Sequence, residues 1–355
     1  MIPELGIIEG FFGPPWSWEE RRTVVAALQP HGYRFYLYAP KADAFLRRRW
    51  QEPHPDAELA EIATFAAFCR QAGVRFGVGL TPFELHLEPG GKLRHLIRAK
   101  LETLAPIGID DLAILFDDMR GDIPDLAQRH AAIVDVAAGQ GVASRILCCP
   151  SYYSDDPVLD RAFGQRPHLY LEDLGRLLDP TIEIMWTGEE VCSREISIGH
   201  LAKVAEQIGR RPFLWDNYPV NDGPRMSQHL HLRGVTGRPA RIGPHIAAHG
   251  VNPALQPWLS LPPAVTLSMS YRAGDAYSYG AAWDEAAWSL FGDELARRLR
   301  ADLLTFHDRG LDRIGPNRKA ELRDIYSAFD HPAAREVIAW LAGAYDVSDE
   351  MVQTQ

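Results

Sequence analysis

Two adjacent carboxyls interrupt the stretch LAILFDDMRGD, residues 112–122, and they are the residues best placed to do chemistry. Each of Asp117 and Asp118 resists ionising beside the other, so holding both at the end of an apolar run is costly. The plain reading is a strand end facing water. A second reading adds Asp122 and makes the three aspartates oxygen ligands for Mg²⁺ in phosphoryl or diphosphate chemistry. Arg120 inside the motif and the lack of a glycine-rich phosphate loop weigh against it. A third is glycoside hydrolysis by two carboxyls facing each other across the bond. Those sit about 5 Å apart in retaining enzymes and farther apart in inverting ones, which side-by-side aspartates do not match. They match a fourth reading better, in which the substrate's own 2-acetamido carbonyl is the nucleophile. One acid then holds the acetamido N–H, and its neighbour protonates the nearby leaving oxygen.

Other polar residues collect at the ends of apolar runs. Glu9 and Gly10 precede FFGPPW, Lys41 lies in YAPKAD, and Tyr152 and Tyr153 follow CCPS. Thr187 lies in WTGEE; Trp215, Asp216, Asn217, Asn221 and Asp222 lie in WDNYPVND; Asn252 lies in HGVNP. Acids, amides and a lysine bond hydroxyls in defined directions, and aromatic faces cover the C–H side of a sugar ring. Each has a bland alternative: a solvated loop residue for Lys41 or an asparagine, a packing residue for Trp186 or Trp215.

The elements that must carry these residues alternate. Strands are expected at Leu5–Phe12, Arg34–Ala39, Arg75–Leu80, Leu112–Phe116, Arg145–Cys149, Ile182–Trp186, Pro212–Trp215 and His245–Val251. Near-continuous apolar runs suit parallel strands buried on both faces. Between them, Ser17-Trp18-Glu19-Glu20 is a capping box opening a helix. Leu59, Ile62, Phe65 and Phe68 recur at helical spacing before Gly73, and a third helix covers Lys92–Leu104. Eight strand–helix units predict an α/β fold, the TIM (β/α)8 barrel, whose chemistry sits at the C-terminal ends of its strands. A doubly wound sheet is the alternative, but GFFGPPW is no G-x-G-x-x-G turn. Residues 1–270 would form the barrel. Residues 271–355 show no strands and would form a small helical appendage, with helices at Trp283–Arg300, Ile314–Phe329 and Ala333–Leu341.

Composition narrows the classes. The chain has 355 residues, is 46% hydrophobic and carries a formal charge of -10, a poor surface for nucleic acid. Its four cysteines, Cys69, Cys148, Cys149 and Cys192, lack C-x-x-C spacing, so reduced thiols in a cytoplasm are expected. No signal peptide is evident in MIPELGIIEGFFG. No run approaches the roughly 18 apolar residues of a membrane span.

Taken in order, GIIEGFFGPPWSWEERR, YLYAPKAD, ILFDDM, CCPSYY, MWTG, WDNYPVND and GVNP resemble glycoside hydrolase family 84, over about Gly6 to Pro253. That family contains the O-GlcNAcases and related bacterial β-N-acetylglucosaminidases, once also described as hyaluronidases. The resemblance implies a TIM barrel and retaining, substrate-assisted hydrolysis of terminal β-linked N-acetylglucosamine through an oxazoline. It implies that Asp117 orients and polarises the acetamido group, and that Asp118 is general acid and then base. Tyr153 would bond the acetamido or oxazoline oxygen, and Cys149, Thr187 and Trp215 would wall the acetamido methyl. Gly10 (through its carbonyl), Lys41, Asn217, Asp222 and Asn252 would bond sugar hydroxyls and nearby groups. No metal and no organic cofactor is implied. The implied partner is a glycoprotein or oligosaccharide bearing N-acetylglucosamine, with no nucleic acid and no membrane; the oligomeric state stays open. A catalytically inactive sugar-binding barrel and the Mg-dependent phosphoryl enzyme remain the alternatives. Phe12 stands where the family often has tyrosine, and Tyr152 where some relatives have an acid; both are expected at the rim of the site.

Overall fold

The computed structural model describes residues 2–87 and 91–355. Parallel strands close a barrel in chain order: β1 (Glu4–Glu9), β2 (Tyr33–Tyr38), β3 (Arg75–Leu80), β4 (Asp111–Leu115), β5 (Arg145–Cys149), β6 (Glu183–Trp186), β7 (Phe213–Asp216) and β8 (Ala248–Val251). β1 pairs with both β2 and β8, so no edge remains unpaired. The fold is the expected TIM barrel. Small residues leave room for large ones in its interior. A Cβ on Gly6 would lie 2.3 Å from the Phe35 ring, and one on Gly250 2.4 Å from Ile8. The Phe35 ring in turn packs on Phe213, with centroids 5.4 Å apart. Burying an aromatic or branched side chain contributes roughly 1.5–3 kcal/mol, so this interdigitation holds the strands in register.

The two ends of the barrel differ in chemistry. Near the strand starts, Arg75 bonds Glu4 and Asp111, and Arg145 bonds Glu4 and Glu183. Charge there is paired within the scaffold. At the opposite end, polar residues of several loops line a cavity.

Around the strands lie α1 (Trp18–Leu28), α2 (Asp56–Gln71), α3 (Leu93–Leu104), α4 (Leu126–Ala138), α5 (Pro157–Phe163), α6 (Tyr170–Leu177), α7 (Ile198–Ile208) and α8 (Leu261–Ala273). α1 opens with the full capping box: Glu20 N–H donates to Ser17 Oγ, and Ser17 N–H donates to Glu20 Oε2. α2 buries Ile62 and Phe65 and is followed by Gly73 at φ +69°, where glycine avoids the Cβ penalty.

Two strand bounds differ most from expectation. β1 stops at Glu9 rather than Phe12, because Gly10 N–H turns back to the Ile8 carbonyl at 2.9 Å. β8 begins only at Ala248, since residues 240–245 form a 3₁₀ turn around Pro244. The single long helix expected at Trp283–Arg300 is two, α9 (Tyr279–Phe291) and α10 (Asp293–Leu303). Gly292 breaks it at φ +75°, a left-handed conformation that no helix interior contains. α11 (Pro316–Ser327), α12 (Pro332–Leu341) and α13 (Asp349–Thr354) complete the chain. Trp283, Phe291, Leu299, Phe306, Tyr326 and Trp340 form a second apolar cluster here, joined by Leu230 and Leu259 from the loops. Among the described residues no helix is long and apolar enough to cross a membrane.

Candidate active site

The site begins with how β4 ends. Its last ladder bond runs from Phe116 N–H to the Cys149 carbonyl, 2.9 Å. Two residues later Asp118 has φ +59°. Successive strand residues point to opposite faces, so a continuing strand would have separated Asp117 from Asp118. The left-handed turn brings both carboxyls to one lysine. Aspartate tolerates this conformation better than most side chains, yet it still costs energy and must be held.

Buried groups on the neighbouring loops hold it. Ser151 Oγ donates to the Phe116 carbonyl at 2.9 Å, and His86 Nε2 donates to the Arg120 carbonyl at 2.7 Å. The Phe116 ring stacks on the His130 ring, centroids 3.7 Å apart, and His130 Nδ1 meets the Tyr170 hydroxyl at 2.8 Å. Burial lowers the pKa of both His86 and His130, so both stay neutral and act as hydrogen-bonding packing groups. The turn is therefore pinned on each side of the aspartates.

Lys41 is the third charge. Its Nζ makes a close ion pair with Asp117 Oδ2 and lies 3.5 Å from Asp118 Oδ2. One ammonium between two carboxylates offsets their mutual repulsion. The pair is not symmetric. Asp117 is buried, and its Oδ1 has no hydrogen-bond partner among the described residues. Asp118 is more open, and its Oδ1 accepts the Tyr153 hydroxyl at 3.1 Å. Burial and then the Asp118 charge push the Tyr153 phenol well up, keeping it a neutral donor.

A cavity of about 280 Å³ opens above these groups. Of the expected residues, Gly10, Asp118, Cys149, Tyr153, Thr187, Trp215, Asn217, Asp222 and Asn252 line it. Asp117 and Lys41 stand behind the lining. Lys41 Nζ reaches both aspartates from the loop after β2, whose backbone is tied by the Lys41 N–H to the Phe11 carbonyl. Gly10 is required where it is: a Cβ there would lie 2.3 Å from Trp215 Cζ2. The amides form a relay. Gly10 N–H donates to Asn252 Oδ1, Asn252 Nδ2 to Asn217 Oδ1, and Asn217 Nδ2 to the Val191 carbonyl. Asp222 Oδ2 accepts the Phe12 N–H at 2.9 Å. Poor access of water pushes the Asp222 carboxyl up to about 6; the Phe12 N–H opposes this and the Asp118 charge adds to it.

Other strand-end residues serve the scaffold. Glu9 is fully buried against Arg21 and Tyr36, Asp216 is clamped by Arg238 and His249, and Asn221 bonds Gln256 and the Leu255 N–H. Trp186 is core, donating to His200. Phe12 lines the cavity as expected of a rim residue. Tyr152 does not: it is buried, with its hydroxyl on the Gly164 carbonyl at 2.6 Å, in space that Gly121 leaves open. The Mg²⁺ constellation does not assemble. Asp122 pairs with Arg120 at the surface, and among the described residues no three His, Cys, Asp or Glu side chains group to hold an ion. Sequence reasoning missed Val191, Cys192, Met226, Asp349 and Val352 in the lining, and Ser151 and His86 beneath it.

Known proteins resemble this chain in sequence and fold. A family model for beta-N-acetylglucosaminidase matches residues 5–307, which takes in the barrel from Leu5 onward and every motif above. The chain is 29% identical over 257 residues to the protein O-GlcNAcases of Rattus norvegicus and Mus musculus. These alignments cover 70% of this chain and only 28% of the relatives' own length. Among solved structures, an O-GlcNAc hydrolase of Thermobaculum terrenum, in mutant form, matches with a TM-score of 0.78 at 26% identity, covering 95% of this chain and 80% of that one. The chain belongs to the β-N-acetylglucosaminidase family, glycoside hydrolase family 84.

Proposed function

We propose that this protein is a retaining β-N-acetylglucosaminidase that removes terminal β-linked N-acetylglucosamine by substrate-assisted catalysis. The observation that carries the reading is the buried, unpartnered Asp117 Oδ1 beside an ion-paired Oδ2. A buried acceptor left unpaired costs about 1–3 kcal/mol, and an acetamido N–H is the donor that would satisfy it. Tyr153 and Asp118, 3.1 Å apart, then face the rest of the acetamido group and the bond to be broken.

The steps balance as follows. The acetamido oxygen attacks C1 while the glycosidic bond breaks, and Asp118 gives its proton to the leaving oxygen. Asp117, still anionic, holds the N–H as positive charge builds on the forming oxazoline. Water then adds to C1 from the vacated side, Asp118 takes its proton, and the acetamido group is restored. Two inversions retain the configuration. Cys149, Thr187 and Trp215 would enclose the acetamido methyl. Asn217, Asp222, Asn252 and the Gly10 carbonyl would bond ring hydroxyls. Lys41, paired with Asp117, would join them in bonding ring hydroxyls and nearby groups. The substrate class is an N-acetylglucosamine-bearing glycoprotein or oligosaccharide, the former in keeping with the relatives called O-GlcNAcases. Unpaired cysteines throughout support a cytoplasmic location. A catalytic barrel, 1–270, and a helical region, 271–355, are the proposed division; most of the second apolar cluster lies beyond residue 271, with Leu230, Leu232 and Leu259 joining it from the barrel loops.

The test is turnover of an aryl N-acetyl-β-glucosaminide together with binding of a thiazoline that mimics the oxazoline. Turnover with tight thiazoline binding is expected. Binding of N-acetylglucosamine without any turnover would instead identify an inactive sugar-binding barrel.

A further inference from the structure

Besides the proposed sugar-binding residues, the cavity is lined by Val191 and Cys192 after β6, Met226 after β7, and Asp349 and Val352 of α13. α13 is fastened across the mouth. Gly13 N–H donates to Gln355 Oε1 at 2.7 Å, and Arg47 Nε and Arg48 Nε donate to the Gln355 carbonyl at 2.9 and 3.1 Å. Just before the helix, Val347 is buried, and its Cγ2 lies 3.0 Å from where a Gly13 Cβ would be. Gly13 and Arg47 sit on the loops after β1 and β2, the loops that carry Gly10 and Lys41. The last helix is thus built into the same mouth as the catalytic groups.

Its chemistry is specific. Val191, Met226 and Val352 make the wall apolar. Asp349 is exposed, and with Asp118 and Asp222 it gives the lining three acids; among the described residues the lining contains no lysine or arginine. We propose that α13 forms the aglycone wall of the cavity, and that Asp349 makes it favour a neutral or cationic aglycone with an apolar face over an anionic one. A peptide segment carrying a lysine or arginine fits this wall; a carboxylate-bearing sugar does not. The inference rests on the hydrolase reading above.

The test uses the full chain, Asp349→Asn and Asp349→Lys. Two aryl N-acetylglucosaminides of matched leaving-group acidity are compared, one with a trimethylammonium on the ring and one with a carboxylate. In the wild type kcat/KM favours the cationic substrate. Neutralisation is expected to reduce that preference roughly threefold and reversal roughly tenfold, the scale of one partly screened charge within a Debye length. High salt shrinks the differences. The affinity of a thiazoline without aglycone is the control for the sugar side. An unchanged substrate ratio in both variants would overturn the proposal, as would thiazoline affinity falling in step with activity. Failure of the wild type to turn over either substrate would overturn the hydrolase reading itself.

Discussion

Asp117 and Asp118 differ by one position in sequence and by their whole surroundings in space. One is buried against Lys41 with an idle oxygen, and the other opens to the cavity under a tyrosine hydroxyl. That asymmetry lets two like side chains take two roles. Asp222 adds a pH dependence to the same cavity. Its carboxyl is pushed up to about 6, so it is an anion above that pH and protonated below it; in the proposed role the anion accepts sugar hydroxyls. Affinity for free N-acetylglucosamine should therefore fall as pH drops through about 6, and Asp222→Asn should remove that step. Titration calorimetry between pH 5 and 8 checks it; an identical step in the variant would assign the proton elsewhere. That these residues would gather was legible because their types cluster at strand ends, and one cavity brings most of them together. The ion pair of Lys41 with Asp117 was not legible, since nothing in YAPKAD says which way its long side chain reaches.

At the scale of elements, the turn after β4 is the feature that matters. The sharp stop after Phe116 could be expected from the apolar run and the two acids. The clamps could not, because Ser151 and His86 are ordinary residues until folding brings their loops beneath that turn. Ser151→Ala leaves the Phe116 carbonyl unpaired, a loss of about 1–3 kcal/mol. Loosening the turn should also lower kcat about tenfold on poor leaving groups, with little change in sugar affinity. Parallel kinetics on poor and activated substrates is the check. A drop in Tm with unchanged kinetics would make Ser151 a folding residue only. The same limit explains the other misreadings. The amphipathic pattern of Trp283–Arg300 continues through Gly292, where the backbone breaks it. Tyr152 follows a strand end, yet its hydroxyl finds Gly164 inside the scaffold.

Across the whole molecule, the helical region is tied to the barrel by a buried acid. Glu336 of α12 accepts the N–H groups of Trp258 and Leu259, each at 2.9 Å, on the chain that follows Asn252 and β8. Burial outweighs those two donors and pushes its carboxyl up to about 8. A carboxyl whose folded pKa is raised stabilises the fold fully below its unfolded pKa and loses that contribution as pH rises through about 8. Tm should decline between pH 6 and 9, and Glu336→Gln should flatten the decline while lowering Tm at pH 6, because an amide offers one acceptor where two donors wait. Calorimetric scans across that range check it; a pH slope unchanged in the variant would place the titration elsewhere. The barrel was legible from spacing and apolar runs. The placement of α13 at the cavity was not, because a six-residue helix so far along the chain carries no local sign of what it will cover.

The most direct measurement is the leaving-group dependence of Asp118→Ala. If Asp118 is the general acid, kcat/KM on an alkyl N-acetylglucosaminide should fall about 10²–10⁴-fold while a dinitrophenyl glycoside, which needs no proton, loses far less. Asp117→Ala should slow both, because it acts on the acetamido nucleophile. Equal losses on both substrates for Asp118→Ala would contradict the division of labour between the two aspartates.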